Sequence, residues 1–137
     1  MKMDYMEILD RNAVLLEVGK KMLPRKAAYA VSRNIKKLES EVKFYWGLRE
    51  DIAARYAAKD AGGEYILEGN NYTFASPEDE AAYRLELTEL NGTEVEVDVM
   101  KFRAEELDKC DTDKRYGILS PVEEAAIEWM VDYGEEP

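Results

Sequence analysis

The chain has 137 residues, 46% of them hydrophobic and 36% charged, with a formal net charge of −11. That is enough for one domain with a real core and no disulfide staples, and too apolar for a disordered chain. Histidine is absent and there is one cysteine, which excludes Ser-His-Asp and Cys-His nucleophilic sites as well as histidine-containing or all-cysteine zinc centres.

The N-terminus, Met1-Lys2-Met3-Asp4-Tyr5, lacks the apolar core of a signal peptide. No apolar run approaches the roughly 18 residues of a membrane span. The expectation is a cytoplasmic protein that uses no cofactor and no membrane. Asn91-Gly92-Thr93 matches a glycosylation sequon, but Asn-Gly reads better as a turn in a chain without a secretory signal. Charge is divided unevenly along the chain. Residues 1–59 hold 13 basic and 8 acidic side chains, whereas residues 60–137 hold 6 and 22. Such a division predicts either a dipolar surface or pairing between the halves.

Residues 4–22 read as a short strand or helical turn followed by a helix, with Ile8, Leu9, Leu15, Leu16 and Val18 as apolar positions and Gly19 as its end. Pro24 is expected as the first residue of the next helix. From Leu23 to Lys59 the spacing is clear: Val31, Ile35, Leu38, Val42, Tyr45, Ile52 and Tyr56 recur at threes and fours, with Arg49 in the skipped place. That is the seam of a helix packed along its neighbours. Phe44, Trp46 and Leu48 widen the apolar surface, and Gly47 marks a possible bend. Arg49 on the seam predicts a carboxylate beside it, since a buried unpaired guanidinium is costly.

Asp60-Ala61-Gly62-Gly63 stops this helix. Tyr65-Ile66-Leu67 and Tyr72-Thr73-Phe74, separated by Gly69-Asn70-Asn71, read as a β-hairpin. Ser76 then caps a helix with Pro77 as its first residue, and Ala82, Leu85, Leu87 and Leu90 carry it to Asn91-Gly92. Val95, Val97 and Val99 alternate with Glu94, Glu96 and Asp98, a strand with one solvated face. Residues 103–117 form a helical turn and loop. Ser120-Pro121-Val122-Glu123 is a capping box before a last helix that docks through Ala126, Ile127, Met130 and Trp129. Residues 134–137 are a tail. The expected fold class is therefore α+β: a long helix, companion helices, and one small antiparallel sheet made of the hairpin plus Val95–Val99.

Two charged faces are the candidate sites. Glu78, Asp79, Glu86 and Glu89, with Glu94, Glu96 and Asp98 on the strand, present spaced negative charge. Such a face can occupy a basic groove that normally holds a phosphate backbone. Arg33, Lys36 and Lys37 share a helix face, which Lys26 extends backwards. That face can hold an anion or pair with the acidic half. Asp108, Asp111 and Asp113 fail the spacing of a calcium loop, because Tyr116 and Val122 stand where glycine and glutamate belong. No metal site is expected, and Cys110 reads as a silent thiol.

Some pieces occur in a telling order. Leu23-Pro24 precedes a helix containing Asn34-Ile35-Lys36-Lys37-Leu38-Glu39, then come Arg55-Tyr56, Lys59-Asp60 and a glycine turn, then Glu89-Leu90-Asn91 and Thr93-Glu94-Val95-Glu96-Val97-Asp98. In this order they resemble a family of small, uncharacterised proteins from phages and prophages of Gram-positive bacteria, over residues 20–130. The resemblance implies phage origin. It implies no catalytic residues, because that family has no established activity. The leading expectation is a non-enzymatic phage protein that inhibits a host macromolecule, with its acidic face in a nucleic-acid-binding groove of a defence effector such as a CRISPR nuclease. The partner is then a host protein with a basic surface, and no nucleic acid is bound directly. The alternatives are a virion-assembly accessory whose long helix packs on a partner or as a homodimer, and a sponge for an anionic nucleotide signal.

Overall fold

The computed structural model describes residues 1–134. Its α+β class follows expectation, with one long helix at the centre. Chain order is β1 (Lys2–Asp4), α1 (Tyr5–Val18), α2 (Arg25–Tyr56), β2 (Leu67–Glu68), β3 (Asn71–Tyr72), α3 (Pro77–Asn91), β4 (Glu94–Glu96), β5 (Phe102–Arg103), α4 (Glu105–Thr112), α5 (Pro121–Ile127) and β6 (Val131–Asp132).

α1 starts at a capping box. Asp4 accepts from the Glu7 amide at 2.8 Å, and Glu7 accepts from the Asp4 amide at 3.2 Å. It buries Tyr5, Ile8, Asn12, Leu15 and Val18, spaced by threes and fours, against the first half of α2. Leu16, an expected apolar position, points outward at 42% exposure. Gly19 ends α1 where the chains approach closely: a Cβ there would meet the Leu15 carbonyl at 3.0 Å and Ile35 at 3.3 Å.

α2 runs 32 residues without a break, so Gly47 does not interrupt it. Val31, Leu38, Tyr45 and Ile52 are buried, and Ile35 and Val42 half-buried, as the seam requires. Pro24 is the residue before the helix rather than its first, and its extended backbone (φ −54°, ψ 148°) sets the entry. α3 covers the second half of α2. Its start is the expected Ser76 cap followed by Pro77. None of its residues is fully buried. Leu85, expected inward, is 61% exposed. The half-buried positions are Asp79, Glu80, Ala82, Tyr83, Glu86, Leu87, Leu90 and Asn91, so Ala82, Leu87 and Leu90 turn inward as expected and Tyr83 and Glu86 join them in place of Leu85.

The strands do not make one sheet. The hairpin β2–β3 stands alone, hanging off the end of α2 through the Lys59–Tyr65 bridge and the Ala58 amide on the Thr73 carbonyl. Gly69 turns it with φ 64°, as the first residue of a tight hairpin turn requires. The valine strand pairs instead with the N-terminus: β4 lies antiparallel to β1, Met3 opposite Val95. β5 pairs in parallel with β6, Phe102 opposite Val131. The sequence hides both partners, because ladders of two or three residues carry no periodicity. The alternation itself holds, with Val97 buried and Glu94, Glu96 and Asp98 exposed. The rest of the expected C-terminal tail, residues 135–137, lies outside the described residues.

A buried amide ties the last third of the chain to α2. Asn34 is 1% exposed. Its Oδ1 accepts from the Met100 amide and its Nδ2 donates to the Met100 carbonyl, both at 2.8 Å. Asn34→Ala strands that peptide group in the interior, so a loss of about 2–3 kcal/mol is expected in urea unfolding. A loss within the range of an exposed alanine substitution would show that the clamp does not matter.

Candidate functional site

Positions 40, 44, 47 and 51 of α2 lie three and four apart, which places them on one helix face. This face lines the roomiest groove, about 860 Å³, between α2, the start of α1 and Val95 of β4. Phe44 stands in it 60% exposed, and Leu48 is half-buried beside it. Tyr5 is buried at its edge, with its ring 5.2 Å from that of Tyr45. Burial first, then the Glu41 carboxylate beside it, push the Tyr5 phenol above its ordinary value.

Charge around this groove is lopsided. Glu41, Glu50 and Asp51 line it against Lys43. Gly47 lies between them in the helix interior. A Cβ on it would meet nothing within 4 Å, so neither packing nor backbone geometry calls for glycine. Its effect is to leave bare helix backbone inside a groove next to an exposed ring.

Arg49 has no carboxylate partner among the described residues. Its guanidinium lies 4.9 Å from the centre of the Trp46 ring and 5.9 Å from that of Tyr45. Burial works against its charge, but the phenols of Tyr83 and Tyr45 outweigh that and hold its pKa up. The seam accommodates Arg49 without an ion pair, because the cation sits on ring faces at a partly exposed edge.

The seven carboxylates expected to form one acidic face are dispersed. Glu86 turns toward α2 and pairs with Arg55 at 3.0 Å. Glu96 receives the N-terminal ammonium at 2.8 Å. Asp98 lies 3.7 Å from Lys37. Glu78, Asp79, Glu89 and Glu94 have no ion pair among the described residues. Glu78 and Glu89 face outward from α3, separated by Arg84 and Leu85, with Arg84 held by Glu80 at 2.9 Å. The halves of the chain thus cancel in part, and the negative charge left over is spread out.

The basic side chains also divide. Arg33, Lys36 and Lys37 line one groove, shared with Glu41, Glu96 and Asp98. Lys26 lines a separate groove, near Arg25, Lys101 and Arg103. Among the described residues no three cysteine or acidic side chains converge as a metal site would need. Asp113 is held by Arg115 at 2.7 Å. Cys110 is buried, and burial followed by Asp111 pushes its thiol up against the opposing pull of Lys21. No helix among the described residues is long and apolar enough to cross a membrane.

No protein-family model matches this sequence, and neither the curated proteins nor the solved structures return a match. The resemblance to phage-encoded proteins therefore rests on its own residues.

The acid-rimmed groove was only partly visible in the sequence. Phe44 and Leu48 stood out as excess apolar surface. Tyr5 and Val95 did not, because their nearness to Phe44 depends on the way β1 and β4 close over α2, whereas Glu41, Glu50 and Asp51 lie on α2 itself.

Two measurements check this geometry. Gly47→Ala is expected to stabilise the fold by about 0.5–1 kcal/mol, since the helix gains and nothing is displaced. A fall in stability would mean that the bare backbone has a structural task. Glu96 is held below its ordinary value by the hydrogen bond from the N-terminal ammonium, then by its charge. A carboxylate depressed in the folded state stabilises above its unfolded pKa and loses that contribution as pH falls through the folded one. Carboxyl NMR titration should therefore show a low Glu96 midpoint that returns to the ordinary range when the N-terminus is acetylated. An unmoved midpoint would place the cause elsewhere.

Proposed function

We propose that the protein is a non-enzymatic binding protein that attaches to a basic protein surface through the acid-rimmed groove of α2. The observation that carries this reading is Phe44, an exposed ring set in a groove lined by Glu41, Glu50 and Asp51. Fully burying such a side chain is worth about 1.5–3 kcal/mol. A ring ringed by like charge suits a partner segment with an apolar side chain flanked by lysine or arginine. The net charge of −11 steers such a partner inward over a range that salt shortens.

The phage reading narrows the partner to a host protein whose basic groove normally holds nucleic acid. Glu78, Asp79, Glu89 and Glu94 support it as a diffuse steering field. Glu86, Glu96 and Asp98, each already engaged within the chain, do not.

Fluorescence anisotropy with a lysine- and arginine-rich peptide bearing one leucine tests the reading. Binding is expected at low salt, weakened about tenfold or more by Phe44→Asp and by Glu50→Lys with Asp51→Lys. Binding that ignores those substitutions, or its absence, would overturn it. A stable dimer in light scattering, lost in Phe44→Asp and insensitive to salt, would instead assign the groove to a second copy of the chain.

A further inference from the structure

We propose that the groove between the start of α2 and β5 binds a nucleotide, a small phosphorylated molecule with a flat ring. It is a different place from the groove of Phe44, with the opposite sign of charge.

The cavity holds about 440 Å³, within the range of small-ligand sites. Arg25 and Lys26 line it from α2, and Lys101 and Arg103 from β5 and the residue before it. Four cations in one groove stand out in a chain of net charge −11. Arg103 is shared with Glu105 at 3.2 Å. Arg25, Lys26 and Lys101 make no ion pair among the described residues. Among the described residues one carboxylate lines the groove, Asp132; it accepts from the Gly134 amide at 2.9 Å and its charge acts on Arg103, which leaves Arg25, Lys26 and Lys101 without an ion pair. Local stability does not account for Arg25 and Lys26 either, since cations are disfavoured in the first turn of a helix.

The remaining wall is apolar. Tyr29 lies three and four residues beyond Lys26 and Arg25, hence on their face of α2, and is 56% exposed. Met100 and the buried Phe102 form the floor. That floor is fixed: Asn34 holds the Met100 peptide group, and Phe102 pairs with Val131. Cations for phosphate next to an exposed ring for stacking are the two halves of nucleotide recognition. The volume and the overall negative charge of the chain oppose a long polyphosphate and favour a single nucleotide.

Calorimetry at low salt tests this with inorganic phosphate, adenosine, the ribonucleoside monophosphates, ADP and a single-stranded oligonucleotide. At least one nucleotide is expected to bind more tightly than phosphate or adenosine alone. Lys26→Glu and Lys101→Glu should each weaken it about tenfold or more. Tyr29→Ala should weaken the nucleotide and leave phosphate unchanged. These side chains are exposed, so circular dichroism should show each variant folded. Three results would overturn the proposal: no nucleotide bound at millimolar concentration, binding unmoved by the three substitutions, or tighter binding of the oligonucleotide. Phe44→Asp should leave nucleotide binding intact, so this site and the protein-binding groove fail or stand separately.

Discussion

The whole structure depends on one seam. α2 is 32 residues long, roughly 48 Å at 1.5 Å per residue, and a helix in a folded protein owes most of its stability to packing of its apolar face rather than to propensity. Its apolar stripe must be covered over its full length. α1 covers the first half and α3 the second, while the three small ladders close the gaps at the edges. Polar contacts then fix the covers in place. Asn34 anchors the segment around Met100, the Tyr45 hydroxyl donates to Asn91 at the end of α3, and Arg55 holds Glu86. Since α1 and α3 take one side of α2, its Phe44 face is left to solvent.

The charge division between the two halves of the sequence is thereby partly resolved. Three of the cross-chain ion pairs, Arg55–Glu86, Lys37–Asp98 and Lys21–Glu123, join the basic first half to the acidic second. These are exposed or half-exposed pairs, each worth little on its own. Their consequence is for the surface potential, because they remove charges from the places where the sequence suggested a continuous acidic face. What remains is a diffuse negative field with two local concentrations, carboxylates around Phe44 and cations around Tyr29.

Local grammar was legible in the sequence. The Ser76 and Ser120 caps, the Gly69 turn, the valine alternation and the α2 seam all follow from rules that act within a few residues. Whatever needed a partner from far along the chain was not legible. Nothing near Val95 indicates that its strand partner is Met3, and nothing near Phe102 indicates Val131. Arg49 shows the same limit from another side. Its break in the seam was visible, but its ring partners Trp46 and Tyr45 are near neighbours in sequence that the expectation of a carboxylate passed over. The basic groove was not legible: the sequence placed Lys26 with Arg33, Lys36 and Lys37, whereas Lys101 and Arg103 are held beside Lys26 by the Asn34–Met100 hydrogen bonds and the β5–β6 pairing.

The two grooves proposed as binding sites carry opposite charge and are kept apart by distance. Lys26 and Phe44 are 18 positions apart on a single helix, about 27 Å along its axis. Fields from exposed charges fade over about 10 Å at 0.1 M salt. Between them lies the groove of Arg33, Lys36 and Lys37, where the carboxylates of Glu41, Glu96 and Asp98 stand beside the cations. A long helix therefore does more than supply a seam. It sets a basic groove and an acidic one about 27 Å apart, with mixed charge between, which is the spacing the two proposed sites need to act independently.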